Sequence, residues 1–390
     1  MINRLLSGVF FLTLLSCSKK NASIATSSFK EVPGYQIALD QFTSPVEDYI
    51  QYLQNWKGQE AFAFHVRPKE QIKIYGLESG ELVETLAFTE NGPNVFQGIY
   101  DFHILNEDSI FLNKRYAYKI YLVNEQYEVI QTLDFLDQND AVDPKTGFPS
   151  SKDAFLPVFN RNRLFRKIGD KIYVSGAPNL DARFPEFSQT RTLLSSKNLQ
   201  SGDIRPLLGL PEKMRGHAWG TFFSMVSADY SREEDVFVLS YAADRMMYLA
   251  DRNMDIAHEF EAFPEGYKEV PPYSVTEVES SEARWAHWDK HYIFGSTHYD
   301  VHKKLIYRIV LEPVEGYQPE HNLDPLYKPR NMVVMAFDAE TFEKRAEMRL
   351  KQTEEGVYLD RCFVNERGLN ITYVDLEDED KLYFKTFVVE

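Results

Sequence analysis

QIKIYGLESGELVETLAF (residues 71–88) holds two runs of β-branched and aromatic residues around a turn at Glu78-Ser79-Gly80. Short runs of this kind, bounded by a glycine-containing turn, read as the two strands of a hairpin. YKIYLVNEQYEVIQTLDF (118–135) repeats the design with Asn124-Glu125 at the turn. Weaker copies follow in RTLLSSKNLQSGDIRPLLGL (191–210), RMMYLADRNMDIAHEFEAF (245–263) and MVVMAFDAETFEKRAEMRL (332–350). A hairpin of one design repeated along the chain is the mark of a repeat architecture, in which each unit buries its faces against its neighbours.

Two more strands precede each hairpin. In the second unit they are GIYDFHILNE (98–107) and SIFLNKRY (109–116); in the fourth, WGTFFSMVSA (219–228) and DVFVLSYAA (235–243). Four antiparallel strands per unit is the pattern of a propeller blade. The last unit, RCFVNERGLNITYVDLEDEDKLYFKTFVVE (361–390), supplies three strands and the sequence stops, while GYQIALD (34–40) is a spare strand near the other end. Pairing the two closes the ring and removes two exposed edges. The expectation is an all-β chain, a six-bladed β-propeller of four-stranded antiparallel blades over residues 32–390, closed by an N-terminal strand. A pair of β-sandwich domains is the alternative. Apolar runs such as Leu82-Val83 and Val236-Phe237-Val238-Leu239 break strict alternation, as sheets buried on both faces do. The insertions 137–159 and 312–331 fall where blades have loops.

GVFFLTLLSCSKKN (8–21) sets the address. Arg4, the apolar Leu5 to Leu15 and small Ser16 before Cys17 read as a secretory signal over residues 1–16, too short to span a bilayer. Leu14-Leu15-Ser16-Cys17 resembles the bacterial lipobox, which makes Cys17 the acylated anchor and residues 17–31 a small, polar tether. Ser18 and the basic Lys19-Lys20 place the protein at the outer membrane, facing the periplasm. Cys362 then has no cysteine to pair with. Removing Arg4 with the signal takes the net charge from -16 to -17, which repels nucleic acid and anionic lipid heads. A monomer is expected.

TENGPNVFQGIYDFHI (89–104) carries a Gly92-Pro93-Asn94 turn leading from one outer strand to the next inner strand. With the lipobox and the first hairpin, this resembles an uncharacterised family of Gram-negative lipoproteins, a domain of unknown function with a six-bladed propeller related to NHL repeats. The resemblance implies a fold and an envelope address, and it brings no activity.

On the blade map, loops between second and third strands and loops entering inner strands gather on one face. The former contribute Arg67, Arg115, Tyr116, Arg245 and Arg330; the latter contribute Asn160, Arg161, Arg215, His217, Trp219, Arg284, Trp285, His287, Tyr358 and Arg361. Arginine forks bind carboxylate or phosphate and aromatic rings give a flat apolar surface, so Arg115, Tyr116, Arg161, His217, Trp219, Arg245, Trp285, His287 and Arg361 are the candidate ligand residues. They would suit an anionic glycan, a peptide or an acidic loop of an envelope protein. Pairing with nearby Asp and Glu, or packing between blades, is the competing reading.

His287, His291, His298 and His302 are read as strand residues, on which i and i+4 lie about 13 Å apart, too far to share a metal. No metal ligand set or catalytic motif stands out, and no cofactor is expected beyond calcium in the channel or at the acidic turn LEDED (376–380). A binding or scaffold module is the first reading. A propeller hydrolase or lactonase with a metal in the channel is the alternative.

Overall fold

Gly80 closes the turn of the first hairpin with φ +68°, a conformation that glycine adopts without strain. It also lies so close to the Gln36 carbonyl that a Cβ would collide with it. Gln36 belongs to the N-terminal strand, whose Ala38 N–H donates to the Gly80 carbonyl at 3.2 Å. The first hairpin therefore docks on the start of the chain. The computed structural model describes residues 27–47, 49–88, 96, 98–136, 141–145, 148–159, 163–314, 316, 330–352 and 356–390.

Six sheets follow in chain order after β1 (Phe29–Ala38). Blade 1 is β2 (Ile50–Trp56), β3 (Gln59–Val66), β4 (Gln71–Gly76) and β5 (Leu82–Ala87). Blade 2 is β6 (Ile99–Asn106), β7 (Ser109–Lys114), β8 (Lys119–Val123) and β9 (Val129–Asp134). Blade 3 has a split inner strand, β10 (Phe155–Pro157) and β11 (Phe165–Ile168), both pairing β12 (Lys171–Pro178), then β13 (Leu194–Asn198) and β14 (Ile204–Leu208). Blade 4 is β15 (Val226–Ser231), β16 (Val236–Tyr241), β17 (Met246–Ala250) and β18 (Ile256–Glu261). Blade 5 is β19 (Ile293–Asp300), β20 (Leu305–Leu311), β21 (Met332–Asp338) and β22 (Lys344–Leu350). Blade 6 is β23 (Gly356–Asn365), β24 (Gly368–Asp375) and β25 (Lys381–Val389), with β1 as its fourth, outermost strand. This is the expected six-bladed propeller.

The closing strand is longer than GYQIALD. Phe29 pairs with Val389 and Ala38 with Lys381, with a register shift between Val32 and Tyr35. Pro33 lacks a donor and Gly34 lies against the Phe384 carbonyl, so a bulge falls there. Residues 29–31, assigned above to the tether, are thus in the sheet, because Ser28 and Glu390 extend the ladder by exchanging both backbone bonds.

Each blade junction has its own apolar core. Ala63, Ile72 and Phe102 meet between blades 1 and 2, Phe62, Phe64 and Phe384 between 6 and 1, and Tyr307, Ile371 and Phe387 between 5 and 6. Middle strands are buried on both faces, which explains the run Val236 to Leu239. Leu82 and Val83 are exposed instead, since β5 is an outer strand. Between blades 4 and 5 the side chain of Arg308 is fully buried and donates to Ser240 Oγ and to the carbonyls of Arg245, Ala262, Tyr241 and Asp244. Five bonded N–H groups satisfy the guanidinium in place of a carboxylate.

A segment read as strand and a connection read as loop running into strand at His287 are helical. Residues 220–223 form a turn of helix, α1 (Gly220–Phe223), where Gly220 has φ +69° and packs under Tyr273. The connection from β18 to β19 carries α2 (Val275–Glu279) and α3 (Ser281–Lys290). Ser274 and Glu277 form a reciprocal capping box, and Ser280 Oγ accepts from Ala283 N–H at 3.1 Å. These caps start helices where the histidines read as strand residues, and they put His287 and His291 one turn apart.

Candidate functional site

The inner strand of each blade has one edge with no neighbour in its own sheet, and its backbone groups need partners. Side chains from adjoining blades supply them at four of the six junctions, and a side-chain pair and a loop contact bridge the other two. Gln51 exchanges two bonds with the Ile104 backbone, at 2.8 and 2.7 Å. Asp101 accepts from Phe159 N–H at 3.0 Å, and Arg166 donates to Asp229 at 3.0 Å. Asp229 accepts from Tyr299 N–H at 2.9 Å, while Asp360 accepts from Ser296 N–H at 3.1 Å and Ser296 Oγ at 2.5 Å. Arg361 completes the ring by donating to the Val46 carbonyl at 3.2 Å, ahead of blade 1.

Inside this girdle is a chamber of about 730 Å³. Phe102, Phe159, Phe165 and Phe363 give it apolar wall, and Gln51, Tyr52, Glu60, His103, Arg166, Asp229 and His298 give it polar wall. His302, Glu366 and Arg367, on the turns between first and second strands, stand at its mouth. The chamber therefore opens on the face opposite the expected rim. Two of its arginines are already paired. Arg166 meets Asp229, Arg367 meets Glu78 at 2.5 Å, and Glu60 takes the Tyr52 hydroxyl and the Asn365 amide.

Burial pushes His103 down to about 3, with Arg166 adding in the same direction, and it lowers His298 as well. Both imidazoles are neutral at pH 7. His298 Nε2 has no hydrogen-bond partner among the described residues. Cys362 also faces the chamber, but burial and the Asp360 carboxylate raise its thiol well above the usual range, so it is not a poised nucleophile. No three His, Cys, Asp or Glu side chains come together to hold a metal among the described residues. In the acidic turn, Asp378 is taken by Lys381 at 2.6 Å and Tyr383 at 3.1 Å.

The expected rim divides. Arg115 and Tyr116 are exposed, Tyr116 by 59 %, and they lie near Arg67. His217 is exposed on the loop before blade 4, and Arg245 is paired with Glu261 at 3.1 Å. Trp219 is a core residue, 6 % exposed, with Nε1 donating to the Met214 carbonyl at 2.7 Å. His287, 2 % exposed, holds Glu277 at 2.7 Å inside the helical connection, and Trp285 is half-buried against Phe222. Arg330 is buried, donating to the carbonyls of Glu312, Trp288 and His291. Arg361 belongs to the girdle, and Cys17, Asn160 and Arg161 lie outside the described residues. The sequence reading missed the chamber, whose signal was a polar residue on one inner strand after another, at Gln51, Asp101, Arg166, Asp229 and Asp360.

A crystal structure of a Bacteroides vulgatus protein of the DUF4221 family superposes with a TM-score of 0.74 at 18 % identity, covering 94 % of this chain and 99 % of that one. A Bacteroides fragilis protein described as exported superposes with a TM-score of 0.52 at 10 % identity, covering 94 % and 96 %. No curated protein matches the sequence. Residues 26–341 match the profile of DUF4221, a domain of unknown function, and the chain with its six-bladed propeller belongs to that family.

Proposed function

We propose that this protein is a binding module of the cell envelope, held to the outer membrane through acylated Cys17, and that its chamber takes a small, uncharged polar molecule. The observation that carries the reading is a chamber in which Arg166 and Arg367 are already paired with carboxylates while His298 Nε2 has no partner among the described residues. A charged ligand would have to break those pairs, whereas a neutral one with hydroxyl or amide groups meets neutral imidazoles on one side and phenyl rings on another. The volume of about 730 Å³ suits a ligand of small-molecule size. The lipobox and the description of the B. fragilis structure as exported support the address. No helix among the described residues is long and apolar enough to cross a membrane.

The test has two readouts on the full chain. A thermal-shift screen of small polar metabolites should give a compound that raises the melting temperature of the wild type and has no effect on His298→Phe, which keeps a ring of similar size and removes both ring nitrogens. Detergent-phase partitioning should retain the wild type and release Cys17→Ala. A screen whose hits ignore His298→Phe would remove the chamber from the reading, and continued partitioning of Cys17→Ala would remove the anchor.

A further inference from the structure

We infer that blades 1 and 2 carry a docking strip for an acidic glycan chain on the face opposite the chamber mouth. The strip is built on two turns between second and third strands. In blade 1, Arg67 and Lys69 lie on the turn from β3 to β4; in blade 2, Arg115 and Tyr116 lie on the turn from β7 to β8. Cations and rings alternate along it. Lys69 Nζ stands 4.3 Å from the centre of the Phe42 ring, and the Arg67 guanidinium 4.2 Å from that of Tyr49. Tyr49 meets Tyr100 at 5.4 Å, and Arg115 bridges Tyr100 at 5.6 Å and Tyr116 at 4.9 Å. Phe148, from the connection between blades 2 and 3, extends the row to 6.5 Å beyond Tyr116.

Three features point outward. Phe42, Tyr116 and Phe148 are among the exposed large hydrophobic side chains. Lys69 and Arg115 make no ion pair with a described residue, and Arg67 has only Glu47, at 3.4 Å. Tyr116 holds φ +59°, an uncommon conformation for a bulky residue, and the fold gives its ring little cover in return. On a chain of net charge -16 this is a local reversal of sign.

A sugar acid offers an apolar ring face to the exposed rings Phe42, Tyr116 and Phe148 and a carboxylate to the guanidinium groups between them, so a chain of them satisfies both halves of the alternation. An extended acidic peptide would seek a free strand edge. Here both turns are closed by their own backbone bonds, Glu70 N–H to Arg67 carbonyl at 3.1 Å and Ala117 N–H to Lys114 carbonyl at 3.0 Å.

Titration calorimetry of the full chain with polygalacturonate, dextran and polyglutamate tests the assignment. Polygalacturonate should bind, with affinity falling by about tenfold as salt rises from about 50 to about 300 mM. Arg115→Ala and Tyr116→Gly should each weaken it by about tenfold or more with an unchanged melting temperature; glycine is chosen because it accepts the backbone of Tyr116. Arg115→Lys, which keeps the charge and loses the fork, should fall between. Arg245→Ala should change nothing, since Arg245 pairs with Glu261 on the same face. No binding of polygalacturonate, equal binding of dextran or polyglutamate, or indifference to both replacements would overturn the assignment.

Discussion

His65 should make this propeller acid-sensitive. It sits on β3, 1 % exposed, with its ring edge-on to Tyr49 at 5.8 Å and with neither ring nitrogen hydrogen-bonded among the described residues. Burial pushes it down to about 4, and Arg67 adds in the same direction. In the unfolded chain a histidine titrates near 6.5. Because the folded value is the lower one, the unfolded state takes up its proton first as pH falls. The stabilisation is complete above about pH 6.5 and is lost progressively down to about pH 4. At about 1.4 kcal/mol per pH unit the full loss is about 3 kcal/mol, and by pH 5 about 2 kcal/mol of it has developed. Urea unfolding of the wild type and of His65→Phe at pH 7 and pH 5 isolates this term, since phenylalanine fills the site and does not titrate. The wild type should lose about 2 kcal/mol more than the variant across that interval. Carboxylates and the other histidines titrate in both proteins and drop out of the difference. An identical loss in the two would refute the reasoning.

Two other outcomes follow from the packing. Deleting residues 29–38 strips the outer strand from blade 6 and uncovers Phe384, so the melting temperature should fall by at least about 10 °C, with aggregation seen by light scattering; a merely local loss of a few degrees would argue against ring closure. Gly295→Ala puts a Cβ into the Asp360 carboxylate, which must then leave Ser296; a cost of about 1 to 3 kcal/mol in urea unfolding is expected, and a neutral effect would show that the junction between blades 5 and 6 does not depend on that carboxylate.

Strand pairing was legible because it is local. The hairpin around Gly80 and its copies state their turns within the repeat, and the unit of three strands at one end with a spare strand at the other leaves one way to close. Side-chain direction was not legible. Arg67, Arg115, Trp219 and Arg330 share a face on any blade map, yet Arg115 points into solvent while Trp219 and Arg330 turn into the core, which depends on how blades 4 and 5 pack. The helices were missed for a different reason. Ser274-Val275-Thr276-Glu277 is a capping-box sequence that went unused, and the stretch from His287 reads as strand in the sequence. Arg308 lies inside the apolar run of β20 and could be read as a lone charge; its five acceptors come from residues 46 to 68 positions away.

The pairing of β1 with β25 also sets a timetable. Lys30 and Glu390, bonded at 3.0 Å, are 360 residues apart. At roughly 5 to 20 residues per second, roughly 20 to 70 s of synthesis separate the two partners. Throughout that time the first strand has no mate and blade 6 is incomplete, so the ring cannot close before β25 has been made. The nascent protein is an open arc with Tyr35 and Ile37 on one loose end, and with Phe62 and Phe64 lacking the residues that cover them. A stop codon at position 381, which removes β25, therefore acts on both the last blade and the first strand at once, since it deletes one strand and leaves the first one without a partner.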